Sequence, residues 1–130
     1  MTIKRVLCPE RMRTIPAQFS WVDHRLVRQP YLDRCDPPAA ALYLFLVTVA
    51  DAQGRSYYSD AVLGRRLSIG LARLSQARGD LVHVGLIAYQ RPLYQVLALD
   101  AARRIEADEL AADEIDIRIG QLRAALGRTP

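Results

Sequence analysis

The sequence predicts an α+β fold, mainly helical. Apolar residues recur at helical spacing in three runs between Asp36 and Gly85, while short runs rich in β-formers stand at Arg55–Tyr58, Leu86–Tyr89 and Leu93–Leu99. Composition agrees: 130 residues, 51% hydrophobic and 25% charged, suffice for one domain with a core plus an appendage, and exclude a disordered chain.

Residues 1–13 are basic and aperiodic and read as an extended arm. In the next stretch, Val22, Leu26 and Val27 fit a short helix, with Phe19 and Trp21 expected to pack nearby. Asp36-Pro37-Pro38 is a helix start, because Asp accepts from free N–H groups and Pro at the first helical position gives up no bond. The helix that follows is expected to run to Gly54, with Leu42, Phe45, Leu46 and Val49 at i, i+3, i+4, i+7, and to be the central helix of the core. A small strand over Arg55–Tyr58 leads to Ser59, which caps a helix with Ala61, Val62 and Leu67 expected inward and Arg65 and Arg66 in solvent. Ser68-Ile69-Gly70 makes a turn, and a helix from about Leu71 to Val84 turns Leu74, Ala77 and Leu81 to one face before Gly85 ends it. Two strands around Gln90-Arg91-Pro92 then form a hairpin. Helix, strand, helix, helix, strand, strand is the element order of a winged helix-turn-helix, expected over residues 14–99.

Residues 100–127 hold strong helix formers and no Pro. Ile105, Ala112, Ile115, Ile119, Leu122 and Leu126 follow an alternating 3–4 spacing, with Asp108 as one flaw. This expected C-terminal helix either dimerises, through Ile115, Ile119, Leu122 and Leu126, or folds back on its own domain.

Charge divides along the chain. Residues 1–99 hold 13 Lys+Arg against 7 Asp+Glu, a balance of +6, and residues 100–130 hold 5 against 7, a balance of −2. A basic body favours polyanions such as nucleic acid, and nearly all of its charge is arginine, whose planar fork suits phosphate and guanine. No apolar run has the length of a membrane span, and the N-terminus lacks the apolar stretch of a leader, so a cytoplasmic protein is expected. Cys8 and Cys35 have no CxxC spacing and form no ligand cluster with His24 and His83; reduced thiols are expected, with no metal, cofactor or small-molecule ligand.

The stretch from Phe19 to Gln90 resembles the winged-helix domains of plasmid and phage replication initiators and related mobile-element proteins. The features that carry the resemblance are the ALYLFL helix before a Gly-containing turn, Ser59 opening the next helix, Leu63 and Leu67 within it, Ile69 in the turn, and the LVHVGLIAY ending. It covers about residues 14–99. The resemblance implies that Gly70, Leu71, Arg73 and Gln76 point into the major groove of double-stranded DNA. Arg73 would then pair with guanine and Gln76 with adenine, while Leu71 touches a thymine methyl. Gly70 would offer its N–H to a phosphate, as helix N-termini do. Arg65 and Arg66 would be phosphate clamps from the preceding helix, with Arg91 reaching the backbone or minor groove from the wing tip. Lys4, Arg5, Arg11 and Arg13 could follow the backbone as an arm. Arg78 falls at a position that is apolar in such domains, so its stem is expected to pack while its head escapes to solvent. Asp80 adds a charge that phosphates repel.

Catalytic signatures are lacking in the sequence: there is no GxGxxG, Walker loop, GxSxG or HExxH. Asp23 and His24 are chain neighbours, which does not make them a dyad, and the carboxylates cluster in residues 100–130 as a solvated face. Tyr57 and Tyr58 read as strand residues rather than nucleophiles. A non-enzyme is expected. The leading reading is sequence-specific DNA binding, as an accessory or regulatory factor in replication, transposition or transcription of a mobile element, with a homodimer if the C-terminal helix pairs. The alternative is a winged-helix adaptor that binds protein instead, favoured by Leu71, Val82 and Val84 beside Asp80.

Overall fold

A computed structural model of the chain describes residues 3–99. The helix expected over residues 100–127, and with it Ile115, Ile119, Leu122 and Leu126, lies outside the described residues. After an extended segment interrupted by one 3-10 turn, Pro9–Arg11, come α1 (Arg25–Arg28), a 3-10 turn at Leu32–Arg34, α2 (Pro37–Val49), β1 (Arg55–Tyr57), α3 (Asp60–Leu67), α4 (Leu71–Val84), β2 (Ile87–Gln90) and β3 (Leu93–Val96). The fold is α+β, with a small antiparallel sheet in the order β1-β3-β2. This order is compatible with a winged-helix arrangement.

Side-chain caps start two of the helices. Asp36 Oδ1 accepts from the Ala39 N–H at 3.1 Å and opens α2, while Ser59 Oγ accepts from the Val62 N–H at 3.2 Å and opens α3. α2 stops at Val49, five residues before the expected Gly54. Its C-terminal flank, Ala50, is extended, and the Asp51 carboxylate accepts from the N–H groups of Gln53 (2.9 Å) and Arg55 (2.8 Å). This local turn competes with further helix. Gly54 completes it at φ +84°, where an added Cβ would stand 2.6 Å from the Val96 carbonyl oxygen.

The inward residues of α3 are Leu63 and Gly64; Ala61, expected inward, is exposed, and Val62 and Leu67 are half-buried. Gly64 lets α3 close on the following turn, since a Cβ there would meet the Ile69 carbonyl oxygen at 3.0 Å. Ser68 turns the chain in the left-handed region at φ 57°, and α4 follows with Leu74, Ala77, Leu81 and Val84 buried. Gly85, at φ 89°, ends α4 by donating to the Leu81 and Val82 carbonyls.

These faces meet Leu42 and Leu46 of α2, Leu86, Ile87 of β2 and Tyr94 of β3 in one core, which Leu26 and Tyr31 close from the N-terminal side. The Tyr31 hydroxyl donates to the Leu99 carbonyl at 3.0 Å and ties down the end of the described chain. The stretch before α1 departs from expectation. Phe19 and Trp21 are 65% and 77% exposed, Val22 and Val27 also face solvent, and only Leu26 reaches the core. A four-residue helix has too few turns to gather all five side chains on one face.

Candidate nucleic-acid interface

The face that α4 does not bury is formed by Ala72, Ser75, Gln76, Gly79 and His83, all exposed. On a helix of 3.6 residues per turn, Ala72, Gln76, Gly79 and His83 lie nearly in line, opposite buried Leu74 and Leu81. Gln76 is thus at the middle of the outward face. Arg73 lies at its edge, half-exposed, with its guanidinium 3.5 Å from Asp36, the residue that caps α2. Leu71, at the first position of α4, is 61% exposed, and one of its methyl carbons would be 3.7 Å from a Cβ placed on Gly64.

Gly70 opens α4 with an ordinary φ of −73° and no side chain to cap the first turn. The N–H groups there, without a side-chain cap, form the positive end of a fourteen-residue helix. An added Cβ would meet nothing within 4 Å, so the space in front of this terminus is open.

Among the arginines near these elements, charge is distributed unevenly. Arg55 pairs with Asp51 at 3.0 Å, Arg73 with Asp36, and Arg78 with Asp60 at 2.8 Å. Arg65 and Arg66 close α3 and are exposed; Arg66 lies over the Phe45 ring at 5.6 Å, and neither makes an ion pair among the described residues. Arg91, at the β2–β3 turn, is exposed and makes no ion pair among the described residues. The sequence-predicted contacts therefore separate into two groups. Arg65, Arg66, Gly70, Leu71, Gln76 and Arg91 are accessible, whereas Arg73 already has an anionic partner.

The position of Arg78 overturns the expectation that its head escapes. Its Nη1 donates to Asp60 Oδ1 and to the Tyr94 hydroxyl, each at 2.8 Å, and the guanidinium lies 4.4 Å from the Tyr89 ring centroid. Only 12% of the side chain is exposed. Tyr89 and Tyr94 are cross-strand partners with ring centroids 4.6 Å apart. The guanidinium thus joins the start of α3, the middle of α4 and both strands of the hairpin. Burial works against its charge, yet the bonds to Asp60 and Tyr94 more than offset this and raise its pKa. Burial likewise pushes the Tyr94 hydroxyl up to about 12, although Arg78 opposes the rise. Sequence reasoning missed this cluster because Asp60 is eighteen residues and Tyr94 sixteen residues away, with no local motif to link them.

A concave region lies on another part of the molecule. It is a groove of about 600 Å³ whose lining includes Phe19, Trp21, Tyr43, Val47, Val96 and Leu99. Asp23 and Arg25 stand in its wall, bonded at 2.6 Å. The Arg25 side chain, then its backbone N–H, hold the Asp23 carboxyl down at about 2.

Among the described residues, no three His, Cys, Asp or Glu groups are placed to hold a metal ion, and no helix is long and apolar enough to cross a membrane. Cys8 and Cys35 are free thiols; burial, then the charges of Asp36 and Asp80, raise the Cys35 pKa. Val84, expected to contribute to a surface for protein partners, is a core residue, and Val82 is half-buried. Comparison with protein-family models, with curated proteins and with solved structures finds no match to this chain.

Proposed function

We propose that the chain is a winged helix-turn-helix protein that binds double-stranded DNA without catalysing a reaction on it. The observation that carries the reading is an exposed outward face on α4 flanked in the chain by arginines that make no ion pair among the described residues: Arg65 and Arg66 on α3, and Arg91 on the hairpin turn. Phosphates would dock on these three side chains and on the open N-terminus at Gly70, which fixes orientation without reading sequence. Base readout then falls to the outward face of α4, centred on Gln76, whose amide can both accept from and donate to an adenine edge. Arg73 would contribute to guanine recognition only by leaving Asp36. Specific binding, and a role as an accessory or regulatory factor in replication, transposition or transcription of a mobile element, extend this reading on the strength of the sequence resemblance alone.

Binding of the full chain to a pool of random duplexes, followed by fluorescence anisotropy at low and at near-physiological salt, tests the proposal. Affinity should fall steeply with salt, and removing Arg65, Arg66 or Arg91 singly should reduce the log–log slope by about 1. Absence of binding at low salt sinks the DNA reading.

A protein-binding adaptor is the second reading. It is favoured by the absence of Lys and Arg from the line Ala72, Gln76, Gly79 and His83, together with the 61% exposure of Leu71. Binding to a protein through this face would depend little on salt.

A further inference from the structure

The segment before α1 exposes more apolar surface than any other part of the described chain. Ile3, Val6, Leu7, Met12, Ile15, Phe19, Trp21 and Val22 are each more than half exposed, from 52% for Val22 to 83% for Ile3. The Ser20 hydroxyl donates to the Thr48 carbonyl at the end of α2 (3.3 Å) and ties this stretch to the helices. Leu44, on the outer side of α2, adds a further apolar side chain at 61% exposure. An apolar surface of this extent, rimmed by charge, marks a place where another segment or chain binds.

Three observations say which segment it is. First, the chain leaves the described region at this very place: Leu99 lines the groove together with Phe19 and Trp21, and the Tyr31 hydroxyl holds its carbonyl. The 31 residues that follow therefore start at the groove. Second, their sequence carries the apolar series Ile105, Ala112, Ile115, Ile119, Leu122 and Leu126, which calls for an apolar partner. Third, the charges are complementary. Residues 3–22 hold Lys4, Arg5, Arg11 and Arg13 against Glu10 alone, while residues 105–117 hold six carboxylates and no Lys or Arg. Two copies of the basic segment would repel each other, so it does not suit itself as a partner.

We infer that residues 100–127 of the same chain dock, through this apolar series, on the surface formed by Phe19, Trp21 and Val22 with the adjoining groove. The acidic run then lies against the basic N-terminal segment. Of the two fates open to the C-terminal segment, folding back is the one this surface favours. The inference stands independently of DNA binding. If both hold, Lys4, Arg5, Arg11 and Arg13 are engaged by carboxylates and contribute little to phosphate contact.

Trp21 is the only tryptophan of the chain, so its fluorescence reports on this surface without labelling. The test compares acrylamide quenching of Trp21 in the full chain, in full-length Ile119→Asp and Ile115→Asp, and in the urea-unfolded chain, with mass followed by light scattering over a dilution series. Far-UV circular dichroism checks that each variant keeps the fold. The expected result is a monomer in which Trp21 is shielded, with quenching rising about twofold or more in either folded variant, as burial of an apolar side chain is undone. Quenching of the native full chain as ready as that of the unfolded chain overturns the inference, because the surface is then bare. Shielding that disappears on dilution, together with a dimer mass, overturns it in favour of a second copy. Shielding unchanged in both folded variants overturns it too, since the cover would not then be the apolar series of residues 100–127.

Discussion

Replacing Arg78 by Met is the sharpest test of how this domain is held together. Methionine keeps most of the apolar stem and removes the guanidinium, so the loss reports on the head group alone. Three contacts go. Tyr94 is fully buried, and its hydroxyl loses a 2.8 Å bond, with a cost of about 1–3 kcal/mol for a polar group left without a partner. The guanidinium over Tyr89 contributes about 0.5–1 kcal/mol, rising towards 2 when shielded from water. The bond to Asp60 is discounted to about 1 kcal/mol, because the Asp60 side chain is 40% exposed and water can replace the lost partner. The contacts share one group and do not add fully, so a destabilisation of about 3 kcal/mol is expected. Urea unfolding followed by circular dichroism measures it, and thermal unfolding should show a fall of about 10 °C or more for a domain of this size. Asp60→Asn should cost clearly less, and the double variant should cost less than the two single losses combined. A stability for Arg78→Met within about 1 kcal/mol of the parent would refute the argument, since the head group would then be worth no more than an exposed arginine.

Removing the helix caps should separate two kinds of loss: Ser59→Ala costs about 1 kcal/mol in urea midpoint experiments, and Asp36→Ala costs somewhat more, because Asp36 both caps α2 and neutralises Arg73. Freed from Asp36, Arg73 should also bind duplex DNA more readily, which the same anisotropy titration reads as a steeper salt slope. Alkaline pH should weaken the fold through Tyr94. Its folded pKa of about 12 exceeds the value of about 10 usual for an unfolded tyrosine, so its contribution is whole below pH 10 and is lost as pH rises from there through 12, by about 2–3 kcal/mol. Urea midpoints across that range should fall less in Tyr94→Phe than in the parent. Gly79→Ala should raise stability by about 0.5–1 kcal/mol, because the glycine lies inside α4 with nothing within 4 Å of an added Cβ. A lower melting temperature would show that the space is needed by the fold itself. A higher one with weaker ligand binding would show that it is needed by the ligand.

The parts of the fold legible in the sequence were those decided by neighbours in the chain. Asp36 and Ser59 announce helix starts because a cap acts over three residues, and Gly85 announces the end of α4 because a left-handed residue is required there. The bounds of α4 and its buried face followed from periodicity. The end of α2 did not, because the Asp51 side chain takes the N–H groups of Gln53 and Arg55 and stops a helix whose apolar pattern alone had no reason to stop. On α3, Leu67 packs against the core as expected and Ala61 does not, while Gly64 is buried by close approach to the Ile69 carbonyl, and a residue without a side chain leaves no mark on a hydrophobic pattern. Phe19 and Trp21 were expected to pack because they are aromatic, but composition cannot say whether a surface exists to receive them. At the candidate interface, the accessibility of Arg65, Arg66 and Gln76 was readable from helix phase. The ion pair of Arg73 with Asp36 joins two helices and was not.

Two short antiparallel strands have little stability of their own in water, and a hairpin at the end of a domain would ordinarily open and close far more often than the helices beneath it. Here β3 is also paired with β1, and β2 and β3 hold Tyr89 and Tyr94 against one guanidinium from the middle of α4. To lift away, the hairpin must strand a buried hydroxyl and uncover a cation, so its opening is tied to that of the helix. Backbone amides of Ile87–Gln90 and Leu93–Val96 should therefore exchange with solvent deuterium at rates close to those of α4, and speed up as a group when Arg78 is replaced. The turn that carries Arg91 would then approach any ligand as part of a rigid body, at a height and angle set by α4.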